Sequence, residues 1–278
     1  DKIMFETYPY SKKSVSTSAK VYTGNRGMRQ REDLNKHVSV LTQLDGKNVA
    51  KLVKDVALNV QNHLKSIFVL NPEPQKMHNY IPLSPIISSD GANVAGVLAG
   101  MDEPQKNIVE NRLSQIVREL PEKELSKVWA EKIGLFGTDA MLYCNEMLSP
   151  TNENLLDARG MSDGTLRFIA MIVALLTLPE YSLLIVDEID NGLHPSRAKY
   201  IIDKIKQLGS ERHIDVLCST HNPTFVNCMG IEMIPFISYV KRDNIEGSSG
   251  VFLLEEHKDL ARMLAFGNVG EMMANNIL

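Results

Sequence analysis

No apolar stretch in the chain approaches the ~20 residues that a membrane-spanning helix needs. The opening residues also lack the basic, apolar and small-residue order of a secretory leader. These gaps argue against a helical membrane protein and make a cytoplasmic location, with no membrane partner, the expectation. Cysteine is scarce: Cys144, Cys218 and Cys228 are odd in number and follow no metal-ligand spacing. That excludes a disulfide framework and a cysteine zinc site, and leaves reduced core residues. No excess of positive charge exists either. Thirty Lys and Arg against 34 Asp and Glu give a net charge of −4, so no overall field draws the chain to nucleic acid or an anionic surface. Apolar residues are plentiful, 44% of 278, enough to bury one large core or two small ones.

The segment Ser182-Leu-Leu-Ile-Val-Asp-Glu-Ile-Asp-Asn-Gly-Leu-His-Pro195 is the most informative. It is an apolar run closed by adjacent carboxylates, and it reads as a strand buried on both faces of a parallel sheet. Two neighbouring carboxylates repel and are costly near a core. The strand's carboxyl end, where open α/β sheets keep their ligand crevice, is the natural place for Asp187 and Glu188. There one can hold a hydrated Mg²⁺ and the other can orient a water. A merely solvated loop is the plain alternative.

Beyond Pro195, residues Ala198, Ile201, Ile202, Ile205 and Leu208 recur at helical spacing, with Gly209 placed as a left-handed stop. A second apolar run, Ile214 to Ser219, ends in Thr220-His221-Asn222-Pro223. Strand, amphipathic helix and strand form a βαβ unit, whose strands are parallel. His221 is thereby expected at the same sheet edge as Asp187 and Glu188. Upstream, Gly160-Met-Ser-Asp-Gly-Thr165 is a polar turn leading into an apolar helix from Leu166 to Leu178. Ser162 suits the N-cap, and Asp163 lies in the first turn, where the helix dipole favours negative charge. Free backbone N–H groups at such a turn can bind phosphate, although a capped core helix needs no ligand.

In this order the three segments resemble the ABC-type ATPases. Met161-Ser-Asp-Gly-Thr165 is similar to their signature, Leu183 to Glu188 to their Walker B strand, Asp190 to Pro195 to the D-loop, and Ser219-Thr-His221 to the switch histidine. The Ser-Asp-Gly-Thr-Leu-Arg and Asn-Gly-Leu-His-Pro variants resemble the SMC- and RecF-like branch. Within it the look is that of AAA-type proteins of OLD, Septu and retron-associated defence systems. Asp90-Gly-Ala-Asn-Val-Ala95 resembles a segment these proteins carry before the signature.

The resemblance, over roughly residues 80 to 270, implies an α/β ATPase head: a parallel-sheet core with helices on both faces and a smaller strand and helix lobe. It implies ATP with Mg²⁺, bound in a sandwich of two heads. Glu188 would be the catalytic glutamate and His221 the γ-phosphate sensor. Asp187 would hold the metal through water, and Ser162, Asp163, Gly164 and Asp190 would meet the nucleotide. On this reading a bulky residue at Gly164 blocks phosphate approach while the protein still folds. The implied role is a dimerising switch that controls an effector, a nuclease or toxin, in phage defence. The alternatives are RecF-like DNA repair, a nucleotide scaffold without turnover, and a two-metal nuclease built on Asp187, Glu188 and Asp190.

One part of that pattern is missing. The sequence contains no G-x-x-x-x-G-K-[ST] loop; Asp45-Gly-Lys-Asn48 and Gly24-Asn-Arg-Gly27 are incomplete pieces of one. The expectation is a fragment that lacks the upstream phosphate loop, in preference to a degenerate enzyme. Two regions are expected, residues 1–80 and 81–278. The first opens with Lys12, Lys13, Lys20, Arg26, Arg29 and Arg31 beside Tyr8, Tyr10 and Tyr22, a candidate contact for DNA or RNA or else a solvated face. A helix comes next, on Leu52, Val53, Val56, Val60 and Leu64. Further along, a helix is expected over 104–120, two strands around Gly134 and Gly137, a hairpin from Phe236 to Glu255, and a weakly helical end.

Overall fold

The computed structural model describes residues 4–7, 16–22, 29–44, 49–149, 152–242, 247–266 and 268–275. Two compact units divide the chain, Asp1–Ile67 and Phe68–Leu278, so residues 68–80 pack with the larger, carboxyl-terminal unit.

In the first unit β1 (Phe5–Thr7), β2 (Ser16–Tyr22) and β3 (Arg29–Asn35) form an antiparallel sheet in that order. The short turn α1 (Val40–Gln43) and the helix α2 (Lys51–Lys65) complete it. Ala19, Val21, Leu34, Leu44, Val53 and Ala57 are its core. The expected helix is therefore present, but the buried stripe is Val53 and Ala57, while Leu52, Val60 and Leu64 are exposed. The helix carries two apolar stripes, and only one packs into this core. Of the basic opening, Lys12, Lys13, Arg26, Tyr8 and Tyr10 lie outside the described residues.

The second unit takes in β4 (Ile67–Leu70) from Phe68 on, then α3 (Pro74–Met77), β5 (Ile81–Pro82), α4 (Val94–Gly100) and α5 (Glu103–Arg118). Next come β6 (Leu125–Ile133), β7 (Asp139–Ser149), β8 (Asn152–Asp157), α6 (Asp163–Thr177), β9 (Leu183–Val186), α7 (Ala198–Arg212) and β10 (Asp215–Cys218). The chain closes with α8 (Pro223–Asn227), the hairpin β11 (Ser238–Arg242) and β12 (Ser249–Leu253), α9 (Leu260–Phe266) and α10 (Val269–Ala274). This is the expected α/β architecture. β9 and β10 are parallel, in a sheet ordered β10-β9-β4. A second, antiparallel sheet runs β5-β7-β6, with β8 also on β7. β8 escapes the sequence reading because Asn152-Glu-Asn154 shows no apolar alternation.

α6 is the central helix. Leu166, Phe168, Ile169, Ala170, Ile172, Val173, Ala174 and Leu175 are all fully buried. A helix apolar all round belongs inside a core. α7 departs from expectation at its end. Gly209 is not the stop: the helix continues to Arg212, and His213 takes the left-handed cap at φ 52°. Gly209 instead lets the returning chain approach, its carbonyl accepting from Ile214 N at 2.9 Å. At the opposite end of the strand pair, Tyr181 N donates to His213 O at 3.0 Å and their rings stack at 5.2 Å. Cys144 is buried, with its thiol pushed up to about 12 by burial, and all three cysteines are unbridged.

The free edge of β6 is sealed by a polar stripe on α5. Ser114 Oγ donates to Val128 O at 3.1 Å and accepts from Val128 N at 3.0 Å. One turn earlier, Glu110 Oε1 accepts from Ala130 N at 2.9 Å; one turn later, Arg118 Nε donates to Ser126 O. Side chains spaced by four on a helix thus serve backbone groups spaced by two on a strand. Ser114→Ala leaves Val128 unserved in a buried place and is expected to cost about 1–3 kcal/mol. Urea denaturation at neutral pH measures this, and an unchanged midpoint would show that water replaces the hydroxyl.

Burial raises the Glu110 carboxyl above its ordinary value, although the Ala130 N–H and Lys106 pull it down. A carboxyl raised in the folded state holds its proton more tightly there than in the unfolded chain. Stability is therefore expected to fall as pH rises from the ordinary carboxylate value to the raised one. Denaturation across that window should show the slope in the natural protein and its loss in Glu110→Gln.

Candidate functional site

The parallel pairing of β9 with β10 matches Val186 with Cys218, so both strands end at one edge. Ser219 extends the ladder, its N–H donating to Val186 O at 3.1 Å and its carbonyl accepting from Ile189 N at 3.1 Å. The Ser219 hydroxyl donates to Asp187 Oδ1 and accepts from Glu188 N at 2.9 Å. One residue later, Thr220 Oγ1 donates to Asp190 Oδ1 at 2.6 Å. Next in line is His221, whose Nδ1 lies 3.7 Å from Glu188 Oε1. Three expected residues, Asp187, Glu188 and His221, are thus brought together, and Asp190 is tied to the same segment.

Glu188 has φ 48°, in the left-handed region that a residue with a Cβ seldom occupies. The strain is held by neighbours on both sides. Asn191 N donates to Glu188 O at 2.9 Å, and Asn191 Nδ2 reaches Glu188 Oε2 at 3.4 Å. Such strain persists only where the surroundings enforce it, and it clusters at working sites. The side chains of His221 and Glu188 are 78% and 49% exposed, so their pairing adds little stability and both stay open to a ligand.

Ser162 caps α6 as expected, its Oγ accepting from Thr165 N at 3.2 Å and donating to Thr165 Oγ1 at 3.0 Å. Ser162 and Asp163 are exposed. Gly164 departs from the expectation of an open turn. A Cβ built there would stand 2.3 Å from the Gly192 carbonyl oxygen, so the glycine permits close approach of the turn just beyond Glu188. Further along α6, Arg167, Phe168 and Met171 line a shallow cleft with Pro72, Asp187, Glu188 and Asn191. Sequence reasoning missed Ser219, Thr220, Asn191 and Arg167 as members of this site. The signal was there in part: two hydroxyls at the end of an apolar strand, directly before His221.

The donor set fits a hydrated Mg²⁺. Among the described residues no three His, Cys, Asp or Glu side chains converge as a metal cage. Mg²⁺ at phosphate sites ordinarily uses one or two carboxylates with water and phosphate oxygens, and Asp187 offers one at the strand end. Gly164 generates the test of this region. Gly164→Ala drives a methyl into backbone, and overpacking of this kind typically costs about 1–3 kcal/mol. Thermal and urea unfolding should show that loss before any ligand is added, and wild-type stability would mean that the two turns can part freely.

No curated protein matches the chain. Solved structures similar to it include one from work on ATP-driven dimerization and DNA-stimulated activation of SMC ATPases, at 16% identity, covering 57% of this chain and 92% of that one, with a TM-score of 0.39. An SMC head bound to the C-winged-helix domain of ScpA is similar at 14% identity, with 86% and 74% covered and a TM-score of 0.44. The SMC head domain from Thermotoga maritima is similar at 11% identity, with the same coverage and a TM-score of 0.40. A family model described as "AAA domain, putative AbiEii toxin, Type IV TA system" matches residues 79–227, more than half of the chain and all of the segments that build the site. The chain belongs to that AAA-domain family.

Proposed function

We propose that this chain is the head of an ATP-hydrolysing, dimerising switch of ABC type that controls a partner effector in phage defence. The observation that carries the ATPase part is Glu188: its backbone is strained at the end of a parallel strand, its amide is stitched to Ser219, and its carboxylate faces His221. A carboxylate so held is preorganised to orient or deprotonate a water without rearranging. His221, from the neighbouring strand, can place a donor beside the phosphoryl oxygens as charge develops there. Asp187, fixed by Ser219, would hold Mg²⁺ through water; the ion would neutralise charge on the phosphates. Ser162, exposed at the α6 N-terminus, would present its hydroxyl to the nucleotide of a second head. The defence role and the effector rest on the likeness of the Ser162 to Arg167 and Asn191 to Pro195 segments to that branch.

The reading requires a phosphate loop, which is not among these residues. On this reading the outward face of the sheet would seat the helix that such a loop leads into. Leu217 and Val69 are exposed on its outward face, and parallel strands are ordinarily covered on both. A two-metal nuclease is less well supported, because Asp187, Glu188 and Asp190 turn to three different partners, Ser219, His221 and Thr220. DNA, RNA and an effector protein remain proposed partners, and no helix among the described residues is long and apolar enough to cross a membrane.

The test uses the natural polypeptide, in which this reading requires a phosphate loop. Glu188→Gln keeps the shape of the side chain and removes the charge that orients water. ATP binding should persist while turnover falls by ~10²–10⁴-fold. Isothermal titration and phosphate release report the two separately, and hydrolysis at the wild-type rate would show that Glu188 has another role.

A further inference from the structure

The segment after β9 contains a charged group that the proposed chemistry does not use. Arg197 begins the helical stretch behind His194-Pro195, and its side chain is only 8% exposed. A guanidinium keeps its charge when buried, so it must be matched by partners. Its Nε donates to Glu122 Oε2 at 3.1 Å, and Nη2 lies 4.0 Å from Glu124 Oε2. The remaining arm does not go to a carboxylate. Nη1 donates to Thr165 Oγ1 at 3.4 Å, in the first turn of α6. Thr165 is itself 6% exposed, and the same oxygen accepts from Ser162 Oγ at 3.0 Å.

Glu122 is braced as well. Ser196 Oγ donates to its Oε1, and Ser196 N donates to His194 Nδ1 at 3.3 Å, which keeps that ring nitrogen 2.8 Å from Ser196 Oγ. Burial would push the Glu122 carboxyl up, but Ser196 and Arg197 outweigh it and hold it below its ordinary value. A second contact joins the same two turns, where Gly164 stands against the Gly192 carbonyl. Two turns that resemble the parts an ABC-type head offers to its partner are thus fastened to each other within one chain, once by packing and once by a buried cation.

We infer that Arg197 is a positioning residue: it locks the Ser162–Thr165 turn and the Asp190–Pro195 turn into one plate, presented as a unit to the nucleotide of a second head. The inference rests on the ATPase reading. It needs the forked geometry of arginine, because Nε and Nη1 serve elements that are 75 and 32 residues away in sequence. Lysine has one point of donation and serves one of them. In Arg197→Lys the charge stays with Glu122 and Glu124, and Thr165 loses its outer donor. Ser162 is then held by the helix cap alone.

The experiment measures ATP affinity, kcat and KM, and ATP-dependent pairing by light scattering, on the full-length polypeptide carrying Arg197→Lys, Thr165→Val or both. Misplacing a group by about an ångström costs up to ~10²-fold, so kcat and pairing should fall ~10-fold or more in each single variant. ATP affinity and KM should stay within about twofold, as expected when transition-state rather than ground-state contacts are lost. The double variant should be no worse than the poorer single one, because both cut the same link. Where Thr165→Val lowers folding yield, Thr165→Ser, which keeps the hydroxyl, should restore kcat. Equal kcat in Arg197→Lys and wild type, or a double variant whose losses multiply, overturns the inference while wild-type turnover upholds the ATPase reading. A wild-type protein that neither binds nor hydrolyses ATP overturns that reading and this inference together.

Discussion

Leu183–Val186 and Asp215–Cys218 are only four residues each, yet every other feature of the site depends on their lying parallel and in one register. Slipping a strand by one residue exchanges its faces. Here a slip would put Leu184 and Val186 in water and carry His221 away from Glu188. The pair is fastened at both ends against that. Ser219 bonds across the carboxyl end, and at the amino end Tyr181 and His213, both left-handed, share a hydrogen bond and stack their rings. The strand interiors supply burial; the ends supply the register.

Much of this could be read from the residues. The strand and helix alternation from Ser182 to His221 carries its periods plainly, because the short apolar runs of β9 and β10 and the amphipathic α7 leave different apolar spacings. The burial expected on both faces of the strand is found on one: Leu184 and Val186 are buried and Leu217 is exposed. Ser162 as cap and the joint edge of Glu188 and His221 come from the same reading. The misreadings concern glycine and partners. Gly209 and Gly164 have the composition of a stop and of an open turn, yet both serve close backbone approach, which depends on what stands opposite and leaves no mark in local sequence. The stripe on α2 failed for a related reason: periodicity shows that a face is apolar but not which neighbour covers it. Arg197 reads as one more basic residue on a surface helix until Glu122 and Thr165, far away in the chain, are seen to flank it.

Polar side chains, some buried and some not, recur as connectors in this fold. Glu110, Ser114 and Arg118 join α5 to β6; Arg197 joins two turns; Thr220 and Asn222 join the end of β10 to Asp190 and to the start of α8. In each case the apolar core fixes the elements to within a packing distance, and hydrogen bonds then select one arrangement. Glu188 and His221, the residues proposed to act on a nucleotide, are exposed, as groups that meet a ligand must be.

The sealed edge of β6 has a consequence for self-association. An unguarded edge strand is an invitation to pair with another chain by its backbone, and an antiparallel sheet of this length would template such growth well. With backbone groups of Ser126, Val128 and Ala130 already engaged by α5, that route is shut without any Pro in the strand. Any meeting of two copies would have to use side chains and the shape of their turns, because this sheet cannot be extended along β6.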